Sequence, residues 1–251
     1  MGYVIFRGIG TEGSLSVVGS GNVLSNVYVS NMPDHRKAEM RFTEYYVKGR
    51  DGALHVDEGY GNFDLTVTLV LIKATVAARQ LVNAWADGTG KLITSDDLTK
   101  CYRASVKEEV TWTRVKANGG FYDTAEVTFN CEPCMYQATE TPTVLTATGS
   151  ILNVGTADAF PLLALEGSGT GKIRIDSYVN NVKVAEYPIQ INSMVANTPV
   201  YIDAENGYVY TDAGAVTMTG SIPMFPVGSN NVVNFIQNIT KVTITPHWRW
   251  V

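Results

Sequence analysis

Apolar and polar residues alternate with a period of two along most of this chain, and a chain so patterned can bury only one side of each extended segment. Phe63-Asp64-Leu65-Thr66-Val67-Thr68-Leu69 shows the cleanest contrast. Asn22 to Ser30 puts Val23, Ser25, Val27 and Val29 on one side, and similar runs cover Glu39 to Lys48, Cys101 to Val110, Phe121 to Asn130 and most of the chain beyond Ser150. One stretch breaks the pattern. Thr75 to Asp87, TVAARQLVNAWAD, reads as the one substantial helix, with Thr75 as N-cap and Gly88 as its stop. Its face of Leu81, Ala84 and Trp85 is expected to lie on the strand carrying Leu69, Leu71 and Ile72. The fold class is therefore mainly β.

The 251 residues suit one large domain or two of ordinary size, and 45% apolar residues against 17% charged ones exclude disorder. A formal net charge of -5 argues against a surface that wraps phosphate backbones, so no specific nucleic acid is expected as a partner. The opening apolar stretch Tyr3 to Phe6 stops at Arg7-Gly8, too short for a secretory signal, and Val67 to Ile72 is far short of the roughly 20 apolar residues of a spanning helix. These features lead us to expect a soluble chain made in the cytoplasm, with no membrane partner. Met1-Gly2 opens like a myristoylation signal, but Phe6 stands where Ser or Thr is wanted.

Charge divides the chain. Through Met135 there are 14 Lys+Arg and 16 Asp+Glu; from Tyr136 on there are 5 and 8. The drop coincides with Gln137-Ala-Thr-Glu-Thr-Pro142-Thr, a Thr/Pro-rich linker after a strand expected to end at Cys131-Glu-Pro, which places a domain boundary near Thr139 and gives domains 1–138 and 139–251. In the second half, turn signals separate the strands: Gly167-Ser-Gly169-Thr-Gly171, Asn180-Asn181, Glu205-Asn206-Gly207 and Gly228-Ser-Asn230-Asn231. Asn206-Gly207 is read as a type I′ turn with Tyr201-Ile-Asp and Tyr208-Val-Tyr210 as its arms. About eight strands and no helix make this half an antiparallel β-sandwich.

No motif builds an active site. Cys131-Glu132-Pro133-Cys134 has the spacing of a zinc or redox pair, but lacks further ligands and a βαβ setting, so it reads as two cysteines at a strand end. Gly8-Ile-Gly10-Thr-Glu-Gly13 has the letters of a dinucleotide loop, yet strand-like Ser14-Leu-Ser-Val-Val18 comes next where a helix is needed. Gly88-Thr-Gly90-Lys91 is the exit of a helix rather than the entrance to one. His35, His55 and His247 stand in no triad context. Asp203 and Glu205 read as turn residues, and Asp96-Asp97 lacks the oxygen series of a calcium loop. No catalytic residue, metal or cofactor is expected. Arg36, Lys37, Arg41, Lys48 and Arg50 form a basic cluster interleaved with Asp34, Glu39, Glu44 and Asp51. We take Arg36, Arg41, Lys48, Arg50 and Asp51 as candidate contacts between identical subunits. The terminal His247-Trp248-Arg249-Trp250 would suit sugar stacking, and packs more naturally as a last strand on the sandwich.

The order of these signals resembles the distal tail (Dit) family of long-tailed phages. In the first half the likeness rests on Val47-Lys-Gly49-Arg50-Asp51-Gly52-Ala-Leu54, the strand from Phe63, the helix with Trp85, Gly90-Lys-Leu92, Cys101-Tyr-Arg-Ala104 and Val127-Thr-Phe129-Asn-Cys131-Glu-Pro133. In the second it rests on Asn153-Val-Gly155-Thr-Ala157, Phe160-Pro161, Ile202-Asp203-Ala-Glu205, Gly228-Ser-Asn230-Asn-Val232 and Ile244-Thr-Pro246-His-Trp248-Arg249. Pro133-Cys134-Met135 departs from the family in lacking an aromatic after the proline. The resemblance implies an N-terminal tail-tube-like β-barrel or sandwich with one flanking helix, closing into a hexameric ring, and a galectin-like C-terminal sandwich. It further implies a structural, non-enzymatic virion protein at the phage tail tip, in contact with the tail tube protein, the tail-tip or tail-associated fibre protein and a receptor-binding protein. The alternative is a carbohydrate-binding sandwich used in host adsorption.

Overall fold

A computed structural model of the chain describes residues 2–11, 23–33, 36–106, 108–117 and 119–251. Of the features singled out in the sequence, Asn22, Asp34, His35 and the segment from Glu12 through Gly13 and Ser14 to Val18 lie outside them. The chain is mainly β and divides into two compact units, Met1–Ala138 with Val251, and Thr139–Trp250.

The first unit is built on one sheet. Its strands run in the order Val23–Leu24, Ile9–Thr11, Val4–Phe6, Gly88–Thr94, Asp97–Val106, Gly120–Gln137, Phe63–Ile72 and Val27–Asn31, with Trp112–Ala117 flanking part of Gly120–Gln137. Ile9–Thr11 returns close to Val27–Asn31, so the sheet nearly closes as a barrel. Alternation puts Leu65, Val67, Leu69 and Leu71 inside with Val127 and Phe129 opposite them, while Ile72, expected under the helix, points outward. The expected strand from Asn22 starts only at Val27, because Asn26 takes a positive φ in a tight turn after Val23–Leu24.

Helix Val76–Trp85 lies on the inner face. The Thr75 hydroxyl accepts from the Ala78 N–H at 3.1 Å, and the helix ends where the Ala86 N–H still reaches the Val82 carbonyl at 2.8 Å. Gly88, at φ +75°, opens the next strand directly. The buried stripe is Ala78, Val82 and Trp85, and not the expected Leu81 and Ala84; Leu81 is 64% exposed. Polar anchors set this rotation. Arg79 donates to Asp123 at 2.6 Å, and the Trp112 indole N–H donates to Asn83 at 2.9 Å, which turns the 78/82/85 edge inward. Trp85 then meets Phe6 and Phe129 edge to face, with centroids 6.1 and 6.0 Å apart. Burial alone would raise the Asp123 carboxyl, but hydrogen bonds from Arg114 and Arg79 and their charges hold it below the usual carboxylate range.

The second unit is an antiparallel sandwich. Two long strands, Leu162–Val179 and Asn230–Thr245, pair along their lengths and carry register shifts at Glu166, Gly167 and Lys172. Before the shifts Leu162–Val179 also pairs with Val200–Asp203, and after them with Val182–Met194. Leu163, Leu165, Ile202, Val242 and Ile244 from one part, and Ile173, Ile175, Ile189, Ile191 and Val233 from the other, share one core. The Gly167-Ser-Gly169-Thr-Gly171 signal is thus a bulge inside one strand and not a turn. The type I′ hairpin belongs to Asn180-Asn181, where φ is 49° and 64° and Val179 pairs with Val182. Asn206-Gly207 sits in a four-residue loop in which only Gly207 has positive φ, although its arms pair as expected, Tyr201 with Tyr210 and Asp203 with Tyr208. The Asp203 carboxylate accepts from Asn206 in that loop, which makes the longer turn the better-bonded one.

Candidate self-association surface

One part of the first unit joins no core. Strands Met40–Tyr46 and Ala53–Tyr60 pair only with each other. An isolated two-stranded hairpin is marginal in water. Yet this one exposes Phe42 at 48%, Tyr45 at 55% and Val56 at 51%, with Leu54 and Tyr46 exposed as well. The register sorts these side chains into two faces. Tyr45 is opposite Leu54 and Thr43 opposite Val56, so one face carries Tyr45, Leu54 and Val56, with the Thr43 hydroxyl and the Glu58 carboxylate it bonds at its edge. The other carries Phe42, Glu44 and Tyr46 opposite Asp57, His55 and Ala53. There the Phe42 ring stacks on His55 at 4.7 Å, His55 lies 3.4 Å from Glu44, and the Tyr46 hydroxyl donates to Glu44 at 2.7 Å. The second face satisfies itself; the first offers bare carbon to solvent.

The candidate contacts gather around this hairpin. Arg41 lies on its first strand and donates to the Glu58 carbonyl at 3.3 Å. Lys48, Arg50 and Asp51 occupy the loop between Tyr46 and Ala53, which turns through Gly49 at φ +84° and Gly52 at φ +77° and is closed by the Arg50 N–H on the Val47 carbonyl. Arg36 precedes the first strand and is exposed. Among the described residues, Arg36, Lys48, Arg50 and Asp51 make no ion pair. Sequence reasoning named these charges and missed Tyr45, Leu54 and Val56, because alternation predicts a buried face without saying what buries it.

The other candidate sites resolve into structural roles. Cys131 and Cys134 lie within strand Gly120–Gln137, not at its end, and a register shift between Cys131 and Met135 accommodates Pro133, which has no N–H to give the ladder. The bulge turns Cys131 into the barrel core and Cys134 into a separate cluster with Cys101 and Tyr136. Among the described residues no group of three metal-ligating side chains forms. Burial, with the Asp64 charge adding to it, pushes the Cys131 thiol up to about 12. Alkylation of the native protein at pH 8 should therefore leave Cys131 unmodified while the urea-unfolded chain reacts there; rapid native modification, read by mass spectrometry, would contradict this.

Asp97 holds its own turn. Its carboxylate accepts from the Thr99 hydroxyl and N–H and pairs with Lys100, which brings it down to about 2. His247 lies 3.4 Å from Glu140 and 3.8 Å from Glu205, its Nδ1 3.1 Å from the Phe160 carbonyl, so it pins the last strand. Glu205 sits in the loop rather than beside Asp203 on a strand face. Trp248 is 7% exposed and packs on Phe225 with ring centres 6.1 Å apart, which leaves no open ring face for a sugar.

No protein-family model matches the chain, and no curated protein matches it. Among solved structures it is similar to the Dit (gp 19.1) protein of phage SPP1, described as a paradigm of the hub adsorption apparatus in phages infecting Gram-positive hosts. The TM-score is 0.68 and the identity 16%, over 98% of this chain and 99% of that one. Also similar are the phage P2 baseplate in its activated conformation with Ca, at TM-score 0.49 and 10% identity over 97% of both chains, and the same baseplate with Sr, at 0.45 and 11% over 88% and 90%. The chain has the Dit-like fold.

Proposed function

We propose that this chain is a structural protein of a long-tailed phage virion, a hub at the tail tip whose N-terminal unit, residues 1–138, associates into a ring, six-membered by the resemblance. In this reading the ring joins the tail tube protein to the tail-tip or fibre protein, and the C-terminal unit, residues 139–251, forms the platform to which a receptor-binding protein attaches. The function is mechanical and needs no catalytic group, cofactor or metal.

The observation that carries the reading is the hairpin Met40–Tyr46 with Ala53–Tyr60: an apolar face that, among the described residues, joins no core of its own chain, on a Dit-like fold. Such a surface is completed by a neighbouring copy, and a contact between unlike patches propagates around a closed ring. Of Trp248 and Trp250, which with the sandwich prompted the carbohydrate-binding alternative, Trp248 is buried and Trp250 is half-buried against the sandwich core, and neither lends it support.

The test is assembly of the purified chain. Sedimentation velocity and negative-stain images should show rings with a central opening at high protein concentration, and a monomer at every concentration would refute the reading. Tyr45→Glu with Leu54→Glu should dissociate the ring while leaving the melting temperature within a few degrees, since neither side chain supports a core.

A further inference from the structure

The hairpin needs a receiving surface, and the outer wall of the same unit has a matching one. On strands Phe63–Ile72 and Gly120–Gln137, Tyr122 pairs with Ile72, Thr124 with Val70, and Glu126 with Thr68. The outer end is an apolar shelf. Val70, Ile72, Tyr122 and Phe121 line it, with Ile72 44% and Phe121 58% exposed. The next rungs are different in character. Thr68, Thr124 and Glu126, joined by Glu108 and Glu109, line a groove of about 400 Å³ whose wall, among the described residues, contains no lysine or arginine. Among the described residues these three glutamates make no ion pair, and all three are exposed.

The hairpin repeats this order in complementary form. Tyr45, Leu54 and Val56 give it an apolar patch, and the loop immediately beyond the Tyr46–Ala53 rung carries Lys48 and Arg50. Apolar patch followed by cations fits apolar shelf followed by carboxylates. Within one copy each surface stays exposed, so the match is fulfilled only between copies. Hairpin and wall are unlike patches, which makes the contact head-to-tail, the geometry from which rings close.

We infer that the hairpin of one copy seats on the Phe63–Ile72/Gly120–Gln137 wall of the next, with Lys48 and Arg50 in the groove formed by Glu108, Glu109 and Glu126. This rests on the ring reading and names the surface that completes it. Four proteins test it by sedimentation velocity, with circular dichroism to establish folding: the wild type, Lys48→Glu/Arg50→Glu, Glu108→Lys/Glu109→Lys, and the combination of all four changes. Each reversal alone should weaken association by about 100-fold, because like charges then meet across the contact, and the combination should restore it to within about threefold of wild type. A fifth protein, Lys48→Gln/Arg50→Gln, should lose most of the wild type's dependence on salt between low and high ionic strength.

Rings in the wild type that either reversal leaves intact, or a fourfold variant that folds but stays dissociated, would overturn the docking and leave the ring standing. A salt response in the Gln variant equal to that of the wild type would overturn it as well. A wild type that never associates would remove the ring and the docking together.

Discussion

Asn153→Ala is expected to lower the stability of the C-terminal unit by about 3 kcal/mol. Asn153 is 2% exposed and lies on no regular strand. Its amide nitrogen donates to the carbonyls of Ala157 at 3.1 Å, Phe225 at 2.9 Å and Pro226 at 3.1 Å, and its amide oxygen accepts from the Gly155 N–H at 2.8 Å. One short side chain thereby closes its own loop and ties it to the segment entering strand Asn230–Thr245. The network continues next door, where Ser229 donates to the Asn231 amide oxygen at 3.0 Å and Asn231 donates to the Ile151 carbonyl at 3.2 Å. Alanine would take the partner from the Gly155 N–H and the Ala157 carbonyl, each worth about 1 to 3 kcal/mol if water cannot reach it, while the Phe225 and Pro226 carbonyls keep the N–H groups of Ala159 and Ser229. Asn153→Asp should be worse than alanine, since it keeps the acceptor for Gly155 and turns a charge toward three carbonyls. Urea titration of the full chain, with hydrogen exchange followed over residues 153–157 and 225–231, measures both. A loss under about 1 kcal/mol for alanine would mean that water takes the place of the amide.

The same residues show what a linear sequence can and cannot say. Alternation identified Phe63–Ile72 and the helix because period is a local property, and the tertiary burial of Leu65, Val67, Leu69 and Leu71 follows from it. The rotation of the helix was not legible. It is set by Arg79 reaching Asp123, 44 residues away, and by Trp112 reaching Asn83, and neither pairing leaves a local trace. Turn letters were legible as turns, except at Gly167–Gly171, which is a bulge inside a strand, and not as turn types: Asn180-Asn181 forms the I′ hairpin, whereas Asp203 draws Asn206-Gly207 into a longer loop. The place of the candidate contact residues in the fold was half legible. Charges stand out in any sequence, and Lys48, Arg50 and Asp51 do lie in one loop; but the exposed face of Tyr45, Leu54 and Val56 reads, letter by letter, like any buried strand. What sets it apart is that, among the described residues, no core of its own chain covers it.

Gly167→Ala is the second change expected to cost about 3 kcal/mol or more, and a near neighbour provides the contrast that isolates the cause. Gly167 lies in strand Leu162–Val179 where it pairs with Ile239 across a register shift, and a Cβ there would stand 2.1 Å from the Asn238 carbonyl oxygen and 3.2 Å from its carbon. Both obstacles are backbone of the paired strand, so relief requires parting the two longest strands of the unit. Asn238 has little room to give: its φ is +52°, and its side chain donates to the Thr170 carbonyl at 3.1 Å. Gly171, four residues on, looks equally crowded by distance, since a Cβ there would stand 2.3 Å from Met194 Sδ and 2.6 Å from Ile239 Cδ1. Those atoms are the ends of flexible side chains that can turn aside, so Gly171→Ala should cost only about 1 kcal/mol. Urea midpoints of the two variants decide the matter. Equal losses would mean that the strands yield as readily as the side chains, and that the bulge owes its glycines to conformational freedom, as at Gly169 with φ +66°, rather than to the approach of Asn238.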